Sequence, residues 1–164
     1  MPSRYLLLIL VLFKSSLIFA QGQQLRAGTF CEMYQTIRDD AKNNFAGITG
    51  SFNNDNRLFT KYKTTLNITD AVSSHIAIIS NKTFFFVTLG EYDTKKAAAL
   101  QLEKLMKDLK KCLSKNVVIR KIEDEGNIFL SVAETVNEQP AFLKIQNTAL
   151  DTKWRIVFSL QGMK

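Results

Sequence analysis

Helical spacing occurs twice along this chain, and each time segments of period-two alternation follow it. In the first stretch Phe30, Met33, Tyr34, Ile37, Ala41 and Phe45 recur at steps that place them on one helical face. Asp39, Asp40, Lys42 and Asn43 fill or border the other face. Thr29, with Glu32 in the third position after it, has the form of a capping box. Gly47 suits the backbone that a helix C-terminus often needs. The spacing predicts a helix over Thr29 to Phe45. In the second stretch Ala98, Leu102, Leu105, Leu109 and Cys112 form a stripe flanked by Met106 and Leu113, opposite Lys96, Glu103, Lys107 and Lys111. Asp93 or Thr94 can cap its start, and Lys110 and Lys111 suit the negative end of the helix dipole. The predicted span is Thr94 to Leu113, with Leu100 the one apolar misfit among charged neighbours.

Strand patterns fill the rest. GITGSFNNDNR is built from turn formers. Leu58 to Ile68 is strand-like, with Tyr62, Thr64, Leu66 and Ile68 on one side. His75 to Ser80 and Thr83 to Leu89 read as a hairpin around Asn81–Lys82. Val117 to Ile122 and Asn127 to Glu134 flank a turn, EDEG. In Pro140 to Asn147, Ala141, Leu143 and Ile145 alternate with Phe142, Lys144 and Gln146. In Asp151 to Gln161, Trp154, Ile156, Phe158 and Leu160 alternate with Arg155, Val157 and Ser159. Period two means one face in and one face out. The order helix–strands–helix–strands, with hairpin spacings, predicts an α+β fold. Two main helices would pack on one face of a mostly antiparallel sheet of five to seven strands. Each half begins in a helix and continues into strands, without a matching residue motif.

The N-terminus stands apart from this pattern. Arg4 precedes the apolar run Tyr5 to Phe13, Lys14, Ser15 and Ser16 interrupt it, and Ala20 ends a short resumption before QGQQ. A spanning helix needs about 20 largely apolar residues. A basic start, a brief apolar run and a small residue instead have the form of a cleavable secretory signal over residues 1–20. The expectation is an exported protein, periplasmic or extracellular, with a flexible segment over 21–28 and a single domain over 29–164. No membrane span is expected in the mature chain. The whole sequence has 164 residues and a net charge of +7; cleavage removes Arg4 and Lys14 and no acid, which lowers the charge by two to +5.

Chemistry-bearing residues are sparse. The chain has two cysteines and one histidine. Cys31 opens the first helix and Cys112 closes the second, so an exported chain could join them in one disulfide clamping the helices. His75 has no second histidine with which to share a metal. It lacks an activated thiol partner too, since Cys112 falls on the apolar stripe. Glu123, Asp124 and Glu125 are assigned to a hairpin turn and Asn53 to Asn56 lacks the calcium-loop pattern, so no metal site is expected. HExxH, GxSxG and glycine-rich phosphate loops do not occur in the sequence. No catalytic residue, cofactor or nucleic-acid module is predicted.

What remains is a surface. Phe84, Phe85 and Phe86 form a continuous apolar run, in a strand covered on both faces or covered on one and used for binding on the other. Lysines crowd the second helix, and Lys107 and Lys111 lead a basic face with some attraction for anionic surfaces. Phe84, Phe85, Phe86, Lys107 and Lys111 are therefore the candidate binding surface. The leading expectation is non-catalytic binding of a protein partner. The alternatives are a carrier of a small apolar ligand and a small secreted hydrolase with an acid-based site.

Overall fold

The computed structural model describes residues 26–27, 30–55, 58–113, 118–124, 127–133, 140–147 and 152–163. The signal expected over 1–20 and the cap expected at Thr29 lie outside these residues, as does Glu125 of the acidic turn.

Two helices and ten strands occur among the described residues. Strand β1 (Arg26–Ala27) precedes helix α1 (Phe30–Ala41). Strands β2 (Thr49–Asp55), β3 (Phe59–Thr64), β4 (Asn67–Ile68), β5 (Ser73–Ile79) and β6 (Lys82–Tyr92) follow. Helix α2 (Lys95–Cys112) then leads into β7 (Val118–Asp124), β8 (Asn127–Ala133), β9 (Ala141–Asn147) and β10 (Trp154–Gln161). Eight strands form one sheet in the order β2-β3-β5-β6-β10-β9-β8-β7, and β1 pairs with β4 in a small parallel ladder. All pairings in the large sheet are antiparallel. The fold is the predicted α+β class, helix–strands–helix–strands. Its sheet exceeds the expected count because β2 forms from a segment read as turn.

The strand order is a palindrome of the two halves. Each half is a helix followed by a four-stranded antiparallel run in the large sheet, and the last strands, β6 and β10, meet at the centre. The repeated order seen in the sequence is thus a repeated topology.

Core formation follows the alternation. Ile76 on β5, Phe85 and Val87 on β6, Ile156, Phe158 and Leu160 on β10, and Leu143 and Ile145 on β9 are buried with Met33, Tyr34 and Ile37 of α1 and Ala98, Leu102 and Leu109 of α2. Phe158 makes edge contacts with Phe30 and Tyr34, ring centroids 6.1 and 6.0 Å apart, which ties α1 to the central strand. Both helices therefore cover one face, and Leu100, the predicted misfit, is 54% exposed.

α1 ends earlier than its apolar spacing suggested. The N–H of Phe45 donates to the Asp40 carbonyl and that of Asn44 to the Ala41 carbonyl, while Asn44 adopts φ 54°. This is the Schellman arrangement with asparagine in the left-handed position. Phe45 continues the apolar spacing past the helix end, and its ring lies 6.0 Å from that of Phe85. Gly47 serves another purpose. The Asp40 carboxylate accepts hydrogen bonds from the Gly47 and Ile48 N–H groups at 3.3 and 3.1 Å, and a Cβ at Gly47 would stand 2.7 Å from Asp40 Oδ1.

α2 starts as predicted at Thr94, whose Oγ1 accepts a 3.1 Å hydrogen bond from the Ala97 N–H. Thr94→Ala should lower stability by about 1 kcal/mol and Thr94→Asn by much less, measured by urea unfolding; equal losses would show that the hydroxyl does not cap the helix.

The expected clamp between Cys31 and Cys112 is not seen as an Sγ–Sγ contact among the described residues, because the side chain of Cys112 lies outside them. Cys31 is not a free thiol. Cys31 Sγ is placed 3.7 Å from the Asp108 carbonyl oxygen, which sets the first turn of α1 beside the last turns of α2.

Candidate binding surface

Among the described residues nothing covers the sheet face opposite the helices, and alternation decides what it carries. Paired residues of an antiparallel ladder share a face. One row across seven strands reads Arg120, Ser131, Phe142, Ser159, Phe86, His75, Lys63. The neighbouring row reads Ile122, Phe129, Lys144, Val157, Thr88, Ser73. Phe84 lies beside Phe86 on the same face, in register with Ala77 and then Lys61.

Aromatic rings dominate the middle of this face. Phe84 stacks on Phe86 at 6.0 Å, and the His75 imidazole stacks on the other neighbour position of Phe86 at 5.3 Å. Lys144 Nζ stands 4.9 Å above the Phe129 ring, close enough for a cation–π attraction. Phe142 is 38% exposed and Ile122 46%, while Phe84, Phe86, Phe129 and Val157 are half-buried. Cations border the rings. Lys61, Lys63, Lys82, Arg120, Lys144 and Arg155 share the face with Glu91 among the side chains described. Glu91 is held by Arg155 Nε at 2.7 Å. Among the described side chains the surface is an aromatic centre in a basic surround.

His75 reports on this setting. Partial burial, followed by the nearby Lys61 ammonium, pushes it down from 6.5 to about 4. Between those two values the unfolded chain binds a proton that the folded chain refuses. This histidine therefore costs nothing above about pH 6.5 and destabilises the fold progressively as the pH falls toward 4. His75→Phe keeps a ring over Phe86 and should flatten the fall of the urea midpoint across that window. An unchanged profile would remove His75 as its source.

The five residues predicted as a binding surface do not converge. Phe84 and Phe86 are on the uncovered face, whereas Phe85 is fully buried beneath the helices. Lys107 and Lys111 are exposed on α2, across the sheet from Phe84 and Phe86, and Lys111 Nζ is 3.1 Å from Asp108 Oδ1. Phe129, Phe142, Val157 and Ile122 join the uncovered face instead. Their strand alternation was legible, but which alternate set the helices would cover was not.

A cleft on the helix side lies between α2 and β7–β8, lined by Leu102, Met106, Ile128 and Leu130 with Glu103 and Lys121. It holds about 100 Å³, against roughly 300–1,000 Å³ for ordinary ligand pockets. Among the described residues no group of three or more His, Cys, Asp or Glu could hold a metal ion. No helix among them is long and apolar enough to cross a membrane. Compared with protein-family models, with curated proteins and with solved structures, the chain finds no match.

Proposed function

We propose that this domain is an exported, non-catalytic binding module, and that its uncovered sheet face docks a protein whose contact surface is apolar at the centre and acidic around it. The observation that carries this is the row Phe142–Ser159–Phe86–His75 closed at its two ends by Arg120 and Lys63. Aromatic groups inside a polar rim are the composition of protein interfaces. A basic excess favours acidic partners through attraction that salt weakens. An open face of this kind fits a protein better than a small apolar ligand.

The test is capture from the native exported fraction on immobilised protein, eluted by a salt gradient. A partner with an acidic surface should bind the unaltered protein and the Lys107→Glu/Lys111→Glu variant alike. It should elute as salt rises and fail to bind Phe142→Glu. Equal capture by the unaltered protein and Phe142→Glu would overturn the assignment of the face.

A further inference from the structure

The large sheet ends in two unequal edges. At one end β2 pairs with β3 through two register irregularities, between Thr49 and Phe52 and between Phe52 and Asn54. Bulges of this kind twist an edge away from further pairing. At the other end β7 pairs residue for residue with β8 from Val118 to Asp124, and among the described residues no strand lies beyond it. A regular edge strand presents outward N–H and C=O groups to any strand that can align with it. Val118 and Ile122 on this edge are 49% and 46% exposed.

The order of charges along β7 selects the strand that can align. Residues 120–124 read Arg-Lys-Ile-Glu-Asp, two cations and two acids about one isoleucine. Laid antiparallel on itself with the axis at Ile122, this segment is complementary throughout. Arg120 falls opposite Asp124 of the second copy, Lys121 opposite Glu123 of the second copy, and Ile122 opposite Ile122. An axis at Lys121 would set lysine against lysine, and one at Glu123 would set glutamate against glutamate. A two-fold axis normal to the sheet keeps both copies' helices on the same side and pairs only residues of one face. Arg120, Ile122 and Asp124 meet that condition. Opposite charges across strands stabilise a ladder and like charges weaken it.

We infer that a second copy of this chain docks on β7, antiparallel and centred on Ile122, so that one continuous sheet runs through a two-fold dimer. This uses the main-chain edge of the sheet; Arg120 and Ile122 also border the uncovered face, so the test reads the mass of the protein alone and not capture of a partner. The test is sedimentation equilibrium of the full chain across a concentration series, with circular dichroism to confirm folding. The unaltered protein should reach twice the chain mass. Arg120→Asp sets acids against acids at two symmetry-related positions and should weaken the dimer about tenfold to a hundredfold. The exchanged variant Arg120→Asp/Asp124→Arg restores opposite charges and should regain most of that loss. Ile122→Lys, which places like charges on the axis, should give monomer. A monomer for the unaltered protein at every concentration would overturn the inference. So would a dimer indifferent to Arg120→Asp and Ile122→Lys, or one that the exchanged variant fails to restore.

Discussion

Phe158→Ala is expected to lower the unfolding free energy by about 3–5 kcal/mol. Phe158 is fully buried on β10, with Val87 and Leu143 beside it in register and the rings of Phe30 and Tyr34 edge-on above it. Truncation removes contacts to α1 and to both neighbouring strands at once. The rings standing over it are anchored by their own helix, so the space would collapse only in part. Edge-to-face aromatic pairs add about 0.5–1.5 kcal/mol beyond area burial, which puts this site in the upper part of the range for large-to-small changes. Domains of this kind are stable by roughly 5–15 kcal/mol in total, so the variant should unfold at a much lower urea concentration. Leu100→Ala, at an exposed position of α2, should change stability by no more than about 0.5 kcal/mol. Equal effects from the two substitutions would mean that the core does not lie where the helices meet the central strands.

The second large effect concerns binding. Phe142→Glu places a carboxylate in the middle of the uncovered face, in register with Ser131 and Ser159, one strand from Phe129 and two from Phe86. Phe142 is already 38% exposed, so the folded chain should lose only about 1 kcal/mol, a typical cost for a single substitution. Partner affinity should fall by at least about 2 kcal/mol, or roughly 30-fold, the scale of a central aromatic contact, before the repulsion of an acidic partner is counted. Phe86→Ser should act in the same direction, and it also removes the stacking of Phe86 with Phe84 and His75. Affinity and stability measured on the same variants separate the two effects. A loss of binding that only tracks loss of folding would deny the face a direct role.

The contrast between these two phenylalanines shows how far the sequence could be read. Phe142 and Phe158 both sit in alternating segments, and period two assigned each to one side of its strand. Helix spacing identified α2 to within a residue at either end, because Thr94 supplies a local cap and the apolar stripe is regular. α1 was read too long because Phe45 is buried by a turn and not by another helical turn; its left-handed φ of 62° is a tertiary outcome. β2 was read as turn because glycine and asparagine dominate it, and an irregular edge tolerates such residues where a central strand would not. The site suffered most from this kind of uncertainty. Alternation separates Phe84 and Phe86 from Phe85, but adjacency in the run suggested one surface. Lys107 and Lys111 joined that surface on charge alone, although the sheet stands between them and Phe86. Which face the helices cover depends on long-range packing, and no local pattern in the strands encodes it.

Crosslinking from defined positions tests the central claim most directly. A photoreactive phenylalanine analogue is placed at Phe142 in one variant, at Phe86 in a second and at Lys107 in a third. Each is produced in the native cells and irradiated there. Docking on the uncovered face predicts the same crosslinked partner from positions 142 and 86, its yield reduced by raised salt, and none of it from position 107. Crosslinks confined to position 107, or none from either uncovered-face position when capture succeeds, would contradict it.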